Sequence, residues 1–414
     1  MPDPIKAPGT PLRWPAAWKD PSALNLLKGG PFDSLIVDRG ADFEAVRAAA
    51  LQAGFQIADT GAAPSGIRII KGEWPGVRVA AGRGGAASAG PTGVPWVDSN
   101  GWNIRLSAAL HPESAVWVEA SPPPNARLTA ASYLIAIADS GAYGGRWIVS
   151  LDNQLAAGLA AGRSESLDTW KAIASAAVFF AAHQAWAEYA PVAVAGVVSD
   201  FAGQNEFFGR ELLNLLGRAG LHYRILPKGA IAGSSFENLR ALLYADAEPP
   251  SPALRKQVLA FVQDGGMLIT GPQWGAVPGA PAKADSHLRY SLRDSGKGRI
   301  AQAIDTPADP YEMAGDAVVL VSHRYDLVRF WNGGATGSFY AAAPGRKKAV
   351  AHLLFYSNRG PDSASVRIAG PYRTARASTV DTPSVPGVEV QLQKDALEVH
   401  LPQVSQYVAL ELEV

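Results

Sequence analysis

Residues 237–275 read ENLRALLYADAEPPSPALRKQVLAFVQDGGMLITGPQWG, and this stretch decides the fold of the middle of the chain. Leu239 to Asp246 is an apolar run of strand length, and Ser251-Pro252 supplies an N-cap and a first-turn proline for a helix. Asp264-Gly265-Gly266 ends that helix, and Met267 to Gly271 predicts the next strand. This order predicts parallel strands joined by a crossover helix, as in a flavodoxin-like α/β domain.

The segment before this stretch continues the same pattern. Val192 to Asp200 predicts a buried parallel strand, Glu206 to Gly220 a helix, and His222 to Leu226 a second strand. We expect the flavodoxin-like domain to span residues 191–314.

Residues 1–190 alternate strand and helix signals from about Pro31 onward. About six strands occur in roughly 160 residues, whereas a full (β/α) barrel usually needs ~200 or more. The pattern favours a degenerate or shortened (β/α) barrel, with an open doubly wound sheet as the alternative. Ala80 to Gly93 is expected to be a loose loop, and Val94 to Asp98 the strand after it.

Residues 315–414 have a different pattern. A bridging helix is expected from Asp316 to Trp331, followed by short strands separated by turns. The C-terminal run Val-Ala-Leu-Glu-Leu-Glu-Val, residues 408–414, alternates apolar and acidic residues, which is typical of half-buried antiparallel strands. We expect a C-terminal β-sandwich.

The order of the three regions resembles the bacterial β-galactosidases built from a TIM barrel, a trimerisation domain and a small β-sandwich. The segment Leu239 to Gly275 is similar to their trimerisation domain and to class I glutamine amidotransferase-like domains. The resemblance implies a glycoside hydrolase and a homo-oligomer formed through the middle domain. The Asn-Glu acid/base motif of those enzymes occurs here only as Asn205-Glu206, which follows a strand of the middle domain. The catalytic residues of the family are therefore not transferred.

Composition excludes several functions. The chain has 414 residues, 37 basic and 37 acidic side chains, and no cysteine. Without cysteine, the middle domain cannot hydrolyse glutamine through a thioester. The zero net charge lacks the basic footprint of nucleic-acid binding, and no apolar run reaches the ~18 residues of a membrane span. No metal or cofactor motif is present, so we expect neither. A periplasmic or secreted protein with its signal removed is slightly favoured over a cytoplasmic one.

Carboxylates end most of the predicted strands of the first region. Ligands bind at the carboxyl ends of parallel strands, and glycoside hydrolysis needs two carboxylates across the scissile bond. Tryptophans beside these acids could stack on sugar rings. The predicted catalytic residues are Glu119, Asp152 and Asp98. The predicted substrate-binding residues are Glu73, Trp74, Trp96, Asn100, Trp102, Arg105 and Asn153.

Helix capping is the competing interpretation of each acid, because Asp and Asn are common at strand ends as caps of the next helix. Two functional alternatives also stay open. One is a non-catalytic glycan-binding or scaffold protein on a decayed barrel. The other is a polysaccharide lyase, which would need a base such as Tyr143.

Overall fold

The computed structural model describes residues 9–81, 87–91, 97–282, 287–306, 309–357 and 362–414. The first region contains ten strands and five α-helices among these residues. The strands are β1 Thr10–Arg13, β2 Phe32–Val37, β3 Gln56–Asp59, β4 Ile67–Lys71, β5 Val77–Ala81, β6 Ala87–Pro91, β7 Ala115–Glu119, β8 Ala126–Leu128, β9 Arg146–Trp147 and β10 Val149–Ser150. The helices are α1 Glu44–Gln52, α2 Gly101–Leu110, α3 Ala130–Ala142, α4 Asn153–Ala160 and α5 Ser164–Ala182.

Two parallel ladders form the main sheet of this region. One has the order β10-β1-β2-β3 and the other β4-β7-β9. Only Ile148 separates β9 from β10, and its N–H donates to the carbonyl of Val118 at 2.9 Å. The continuous stretch β9–β10 therefore pairs with β7 on one side and with β1, the first strand, on the other, as the last strand of a (β/α) barrel does. No ladder joins β3 to β4 within the described ranges.

The concave side of these ladders holds a small apolar core. Ile36, Trp117 and Ile148 are buried against one another there, and Ala58 and Ile69 pack beside them. The residues alternate along each strand with those of the outer face, which the helices cover. Residues of β2, β3, β4, β7 and the β9–β10 link meet in this core. With β1 they make six strand positions, but β1 precedes the strands that the sequence predicted, which start after Pro31.

The expected loop at Ala80 to Gly93 is partly wrong. Val77–Ala81 and Ala87–Pro91 pair as the antiparallel strands β5 and β6, and β6 pairs in parallel with β8. Small alternating residues such as Ala and Ser tolerate a pleated sheet even where they give little strand signal. Of the expected strand Val94 to Asp98, residues 94–96 lie outside the described residues, and Val97 and Asp98 are not in a strand.

The middle region contains the strands β11 Ala190–Pro191, β12 Ala195–Ser199, β13 Tyr223–Pro227, β14 Ala241–Tyr244, β15 Met267–Thr270, β16 Ala280–Pro281, β17 Tyr290–Ser295 and β18 Gly298–Ala303. Its helices are α6 Glu206–Arg218, α7 Pro252–Gln263 and α8 Pro310–Val321. The sheet order is β13-β12-β14-β15-β18-β17-β16, and the first five strands are parallel. In chain order these five are 2-1-3-4-5, the flavodoxin-like arrangement.

The sequence of α7 explains its position. Ser251 caps it by accepting from Leu254 N, and Pro252 occupies the first turn. Its apolar stripe, which includes Val258 and Val262, covers one face of the sheet, while α6 covers the other face with Leu212 and its neighbours. Both faces of the parallel strands are therefore buried, as their apolar sequences predict.

The expected helix from Asp316 to Trp331 is wrong in position. Asp309 caps α8 by accepting from Tyr311 N, so the helix begins at Pro310. It ends at Val321 because Ser322 has a φ of 76°. Met313 packs in the core that α6 covers, so α8 is part of that core.

The C-terminal region contains only strands and short 3₁₀ turns among its described residues. The strands are β19 Val328–Phe330, β20 Thr336–Ala342, β21 Lys348–Phe355, β22 Asp362–Ala369, β23 Thr374–Ser378, β24 Glu389–Gln393, β25 Ala396–Val404 and β26 Tyr407–Glu413. They form two antiparallel sheets of order β11-β20-β21-β26-β23 and β19-β22-β25-β24. Leu353, Val399 and Leu410 belong to one core shared by both sheets. No described helix is long and apolar enough to cross a membrane.

Candidate functional site

The carboxyl ends of the barrel strands hold a connected set of polar groups. Arg13 at the end of β1 forms an ion pair with Glu119 at the end of β7. Arg13 Nη1 also donates to Thr60 Oγ1 at 3.4 Å, and Thr60 Oγ1 donates to Asp38 Oδ1 at 2.5 Å. Beside them, a hydrogen bond from Arg39 lowers the pKa of Asp59. The charge of Glu119 is therefore compensated by a cation from the first strand.

Asp152 makes the contacts of a helix cap. Its Oδ1 accepts from the backbone N–H groups of Gln154 and Leu155 at 3.0 Å. Its Oδ2 accepts from Leu128 N and from the hydroxyl of Tyr133, both at 3.1 Å. The side chain is buried, and both oxygens are engaged by four donors. Asn153, the first residue of α4, is exposed.

A cleft of about 590 Å³ lies between the end of β4, the start of α2 and helix α6, and we call it the barrel-edge cleft. It brings together five of the residues predicted from the sequence, namely Glu73, Trp74, Asp98, Asn100 and Trp102. Asn103, Glu211 and Asn214 also line it. Glu119, Asp152, Arg105 and Asn153 do not line this cleft, and Trp96 lies outside the described residues.

Asn100 holds one wall of the barrel-edge cleft in place. Its Oδ1 accepts from Glu73 N and its Nδ2 donates to Glu73 O, both at 2.9 Å. The same Nδ2 and the backbone N–H of Asn100 donate to Asp139 Oδ2 at 2.9 Å. The two bonds between the Asn100 amide and the Glu73 backbone hold that backbone in place, while the side chain of Glu73 is exposed and lines the cleft.

Asp139 on α3 is fully buried and accepts the other hydrogen bonds of this network. The hydroxyl of Tyr356, which follows β21, donates to Asp139 Oδ1 at 2.7 Å. Burial raises the pKa of Asp139 to about 6, although the bonds from Tyr356 and Asn100 act in the opposite direction. The carboxyl group therefore connects the barrel, the cleft wall and the C-terminal sheets.

Two further carboxylates meet at the α6 side of the cleft. Asn214 Nδ2 lies 3.4 Å from Asp98 Oδ1 and 3.4 Å from Glu211 Oε2. Those two oxygens are consequently no farther apart than twice that distance. Asp98 also forms an ion pair with Arg218 and keeps 60% of its side chain exposed. An acid pair at this separation can face a ligand from one side of the cleft.

The aromatic residues of the cleft are held by their neighbours. Trp74 makes edge contacts with Tyr133 and Trp147, with ring centroids 5.3 and 4.9 Å apart, and its Nε1 donates to Ser121 O at 2.9 Å. Trp102 is half-buried at the other end of the cleft. Both indoles have a fixed body and a partly exposed face, which suits stacking on the apolar face of a sugar ring.

Glu211, Asn214 and Asp139 were missed by the sequence-based prediction, although Asn214 and Asp139 each carry a signal. Asn214 interrupts a run of four leucines in α6, and Asp139 interrupts the apolar sequence of α3. A polar residue on the buried face of a helix needs a partner, and such a residue is a candidate for a specific contact. Nothing in the sequence, however, indicates which partner each finds.

A second polar cluster lies at the carboxyl ends of β12 and β14, where the strand order of the middle sheet reverses. Oxygens of Asp200, Asp246 and Glu248 lie within 4.8 Å of one another, close enough to hold a metal ion. The ammonium group of Lys228 already forms ion pairs with Asp200 and Asp246. Asn205 Nδ2 donates to Glu248 Oε2 at 2.9 Å. The lysine supplies the positive charge that these acids need.

Comparison with known proteins identifies the fold. No family model matches the sequence, and no curated protein matches it. The structure is similar to α-L-fucosidase isoenzyme 2 from Paenibacillus thiaminolyticus, with a TM-score of 0.51 and 12% identity over 75% of this chain and 63% of that one. It is also similar to the β-galactosidase from Rahnella sp. R3, with a TM-score of 0.48 and 10% identity over 76% of this chain and 58% of that one.

The chain therefore shares its overall fold with that fucosidase, at low sequence identity. The chain spans less than two thirds of the length of both of these solved structures. The similarity agrees with the resemblance seen in the sequence.

Proposed function

We propose that this protein binds an oligo- or polysaccharide in the barrel-edge cleft and hydrolyses a glycosidic bond with carboxylates of that cleft. One observation carries the proposal. A single cleft of about 590 Å³ collects two partly exposed tryptophans, three carboxylates and three side-chain amides. Aromatic platforms with hydrogen-bonding amides and acids are suited to the apolar faces and hydroxyl groups of a sugar.

The proposed chemistry needs one protonated and one ionised carboxyl group across the bond to be broken. Asp98 and Glu211 meet at the α6 side of the cleft, and Glu73 lies at the end of β4, so the candidate pair is Glu73 with one of those two acids. In this scheme Asn100 is a positioning residue, because it holds the backbone of Glu73.

The other two predicted catalytic residues, Glu119 and Asp152, do not line the barrel-edge cleft. Glu119 is engaged by Arg13 and Asp152 by four donors, so neither is free to act unless those contacts change. Asp98 is also paired, with Arg218, but it keeps 60% of its side chain exposed and lines the cleft, so we build the proposal on it. Glu119→Gln and Asp152→Asn variants in the same turnover assay test the other two predictions.

The test is turnover of a panel of aryl glycosides and oligosaccharides by the intact chain and by Glu73→Gln, Asp98→Asn and Glu211→Gln variants. Glu389→Gln, an exposed substitution on β24, is the matched control. We expect at least one cleft variant to lose turnover by ~10²-fold or more while keeping the wild-type fold, and the control to be unaffected. Full activity in all three cleft variants would refute the assignment of the cleft.

A non-catalytic glycan-binding protein is the second candidate, favoured by the engaged state of Glu119 and Asp152. It predicts saccharide binding by calorimetry, without any product detected by chromatography. The lyase alternative has less support, because burial raises the pKa of Tyr143 and so opposes the ionised phenol that a base requires. An unsaturated product absorbing in the ultraviolet would nevertheless identify it.

The proposal includes the predicted organisation of the chain. It assigns a shortened barrel to residues 1–190, a flavodoxin-like domain to 191–314 and a β-sandwich to 315–414, with homo-oligomer formation through the middle domain. Light scattering of the purified chain tests the oligomer, since a monomeric mass at all concentrations would contradict it.

A further inference from the structure

A separate cavity of about 290 Å³ lies where the barrel helices, the middle sheet and the C-terminal sheets meet. We call it the junction cavity. Residues from α2, α3 and α5 line it on one side, β13 on a second, and β20 and β21 on a third. Its volume is close to the lower limit of small-molecule sites, so it can hold a compact ligand.

The cavity is rich in cationic side chains. Arg105, Arg146 and Arg224 all line it, and no carboxylate is present among the described residues of its wall. Burial lowers the pKa of Arg146 and of Arg224, and nearby Arg346 adds to the effect on Arg224. Three guanidinium groups at one cavity repel one another unless an anion or water separates them.

Arg146 is the strongest indication of a ligand. Only 7% of its surface is exposed, and its one hydrogen bond within the described structure runs from Nη1 to the carbonyl of Gly145 at 2.9 Å. No described acid lies within ion-pair distance of it; Asp33 acts on it only from farther away. A buried guanidinium normally has a paired anion, because its desolvation is otherwise uncompensated.

Arg105 is oriented but not neutralised. Its Nη2 donates to the carbonyl of Tyr223, and its guanidinium lies 4.3 Å from the Tyr223 ring and 5.3 Å from the Phe339 ring. Stacking fixes the plane of the guanidinium while leaving donors for a ligand. Arg105 was predicted from the sequence as a substrate-binding residue, but the structure brings it to this cavity and not to the barrel-edge cleft.

A rigid aromatic wall completes the cavity. Phe339 stacks on His352 at 6.1 Å, His352 meets Trp186 edge-on at 5.4 Å, and Trp186 stacks on His183 at 4.1 Å. Burial lowers the pKa of His352 to about 3, with His183 adding to the effect, so His352 is neutral near pH 7. The wall is therefore apolar and preformed, and the charge of the site comes from the arginines.

From this arrangement we propose that the junction cavity is a binding site for a small oxyanion, either a phosphate or sulfate group or the carboxylate of a compact sugar acid. Guanidinium groups recognise these groups through paired N–H donors, and the aromatic wall would cover the rest of the ligand. The site is separate from the barrel-edge cleft and does not depend on hydrolytic activity. Because three regions of the chain line it, a bound anion would hold them together.

Isothermal titration calorimetry of the intact chain tests this proposal with inorganic phosphate, sulfate and D-glucuronate, at an ionic strength balanced with sodium chloride. We expect saturable binding of at least one probe, weakened about tenfold or more in Arg146→Met and in Arg105→Met. Arg68→Met, an exposed substitution on β4, is the matched control and should bind as the wild type does. Glu73→Gln should also bind normally, which separates this site from the proposed carbohydrate site.

The outcomes distinguish the ligand sources. Binding of phosphate or sulfate alone assigns the site to a phosphoryl or sulfuryl group, and binding of glucuronate alone assigns it to a carboxylate. If Arg146→Met does not fold, the half-buried Arg105 provides the decisive variant. No saturable heat with any probe, or equal weakening in Arg68→Met, would overturn the proposal.

Discussion

Replacing Asp139 by Asn should remove a pH dependence of stability that the wild type has. The carboxyl group is fully buried, and its pKa in the folded chain is about 6, against an ordinary value of 3.8. The folded state therefore holds this proton more tightly than the unfolded state does. The stability that Asp139 contributes is fully present below about pH 4 and is lost as the pH rises through about 6.

The size of the effect follows from the pKa difference. At about 1.4 kcal/mol per pKa unit, the rise from 3.8 to about 6 corresponds to about 3 kcal/mol. About 2 kcal/mol of this should be lost between about pH 4.5 and about pH 7. The asparagine of Asp139→Asn does not titrate, so the variant lacks this loss. From about pH 4.5 to about pH 7, the free energy of unfolding of the variant minus that of the wild type should therefore increase by about 2 kcal/mol.

Urea unfolding followed by tryptophan fluorescence measures this difference, because Trp117 and Trp147 are buried in the same region. Asp264→Asn, an exposed substitution after α7, is the control and should show a constant difference from the wild type. Tyr356→Phe removes a donor that lowers the pKa of Asp139, so it should move the pH-dependent range upward. Parallel curves for wild type and Asp139→Asn would refute the reasoning.

Three further predictions concern stability. Asp152→Ala should lower the free energy of unfolding by ~1–3 kcal/mol in urea titrations, because four buried or capping bonds are lost, while Asn153→Ala should change it by less than about 0.5. Gly196→Val should cost ~1–3 kcal/mol in the same assay, since even a Cβ there meets three leucine side chains at 2.6–2.9 Å. Lys228→Met should lower the free energy of unfolding by ~3 kcal/mol or more, because it leaves the buried Asp246 carboxylate without its cation. Adding Asp246→Asn should restore part of that stability, which a double-mutant cycle measures.

Each of these has a result that would contradict it. Equal changes in the free energy of unfolding for Asp152→Ala and Asn153→Ala would show that the cap does not contribute to stability. An unchanged melting temperature for Gly196→Val would mean that the leucines move aside freely. Additive losses at 228 and 246 would show that the two side chains do not interact.

Local elements were predictable because neighbouring residues determine them. The predicted strand Met267 to Gly271 is confirmed as β15, Met267–Thr270, and the helix after Ser251-Pro252 begins where the cap and proline indicate. The flavodoxin-like strand order followed from the alternation of apolar runs and amphipathic helices. The expected helix from Asp316 was wrong in position because the prediction did not recognise Asp309 as an earlier N-cap.

The site was only partly predictable. The sequence indicated that acids and tryptophans would gather at one face, and the barrel-edge cleft does bring Glu73, Trp74, Asp98, Asn100 and Trp102 together. It could not distinguish an acid that caps a helix, such as Asp152, from one that faces a cleft. Both occupy the same position after a strand, and only the donors around them differ.

The sequence by itself determined many of the strands and helices, the exclusion of cysteine chemistry, and the resemblance of the fold. The tertiary structure alone decided the partners: Arg13 for Glu119, 106 residues away, and Tyr356 for Asp139, 217 residues away. It also decided that Arg105 lines the junction cavity and not the barrel-edge cleft. The physical reason is that backbone propensity acts within a few residues, whereas charge compensation depends on which surfaces the packed core brings together.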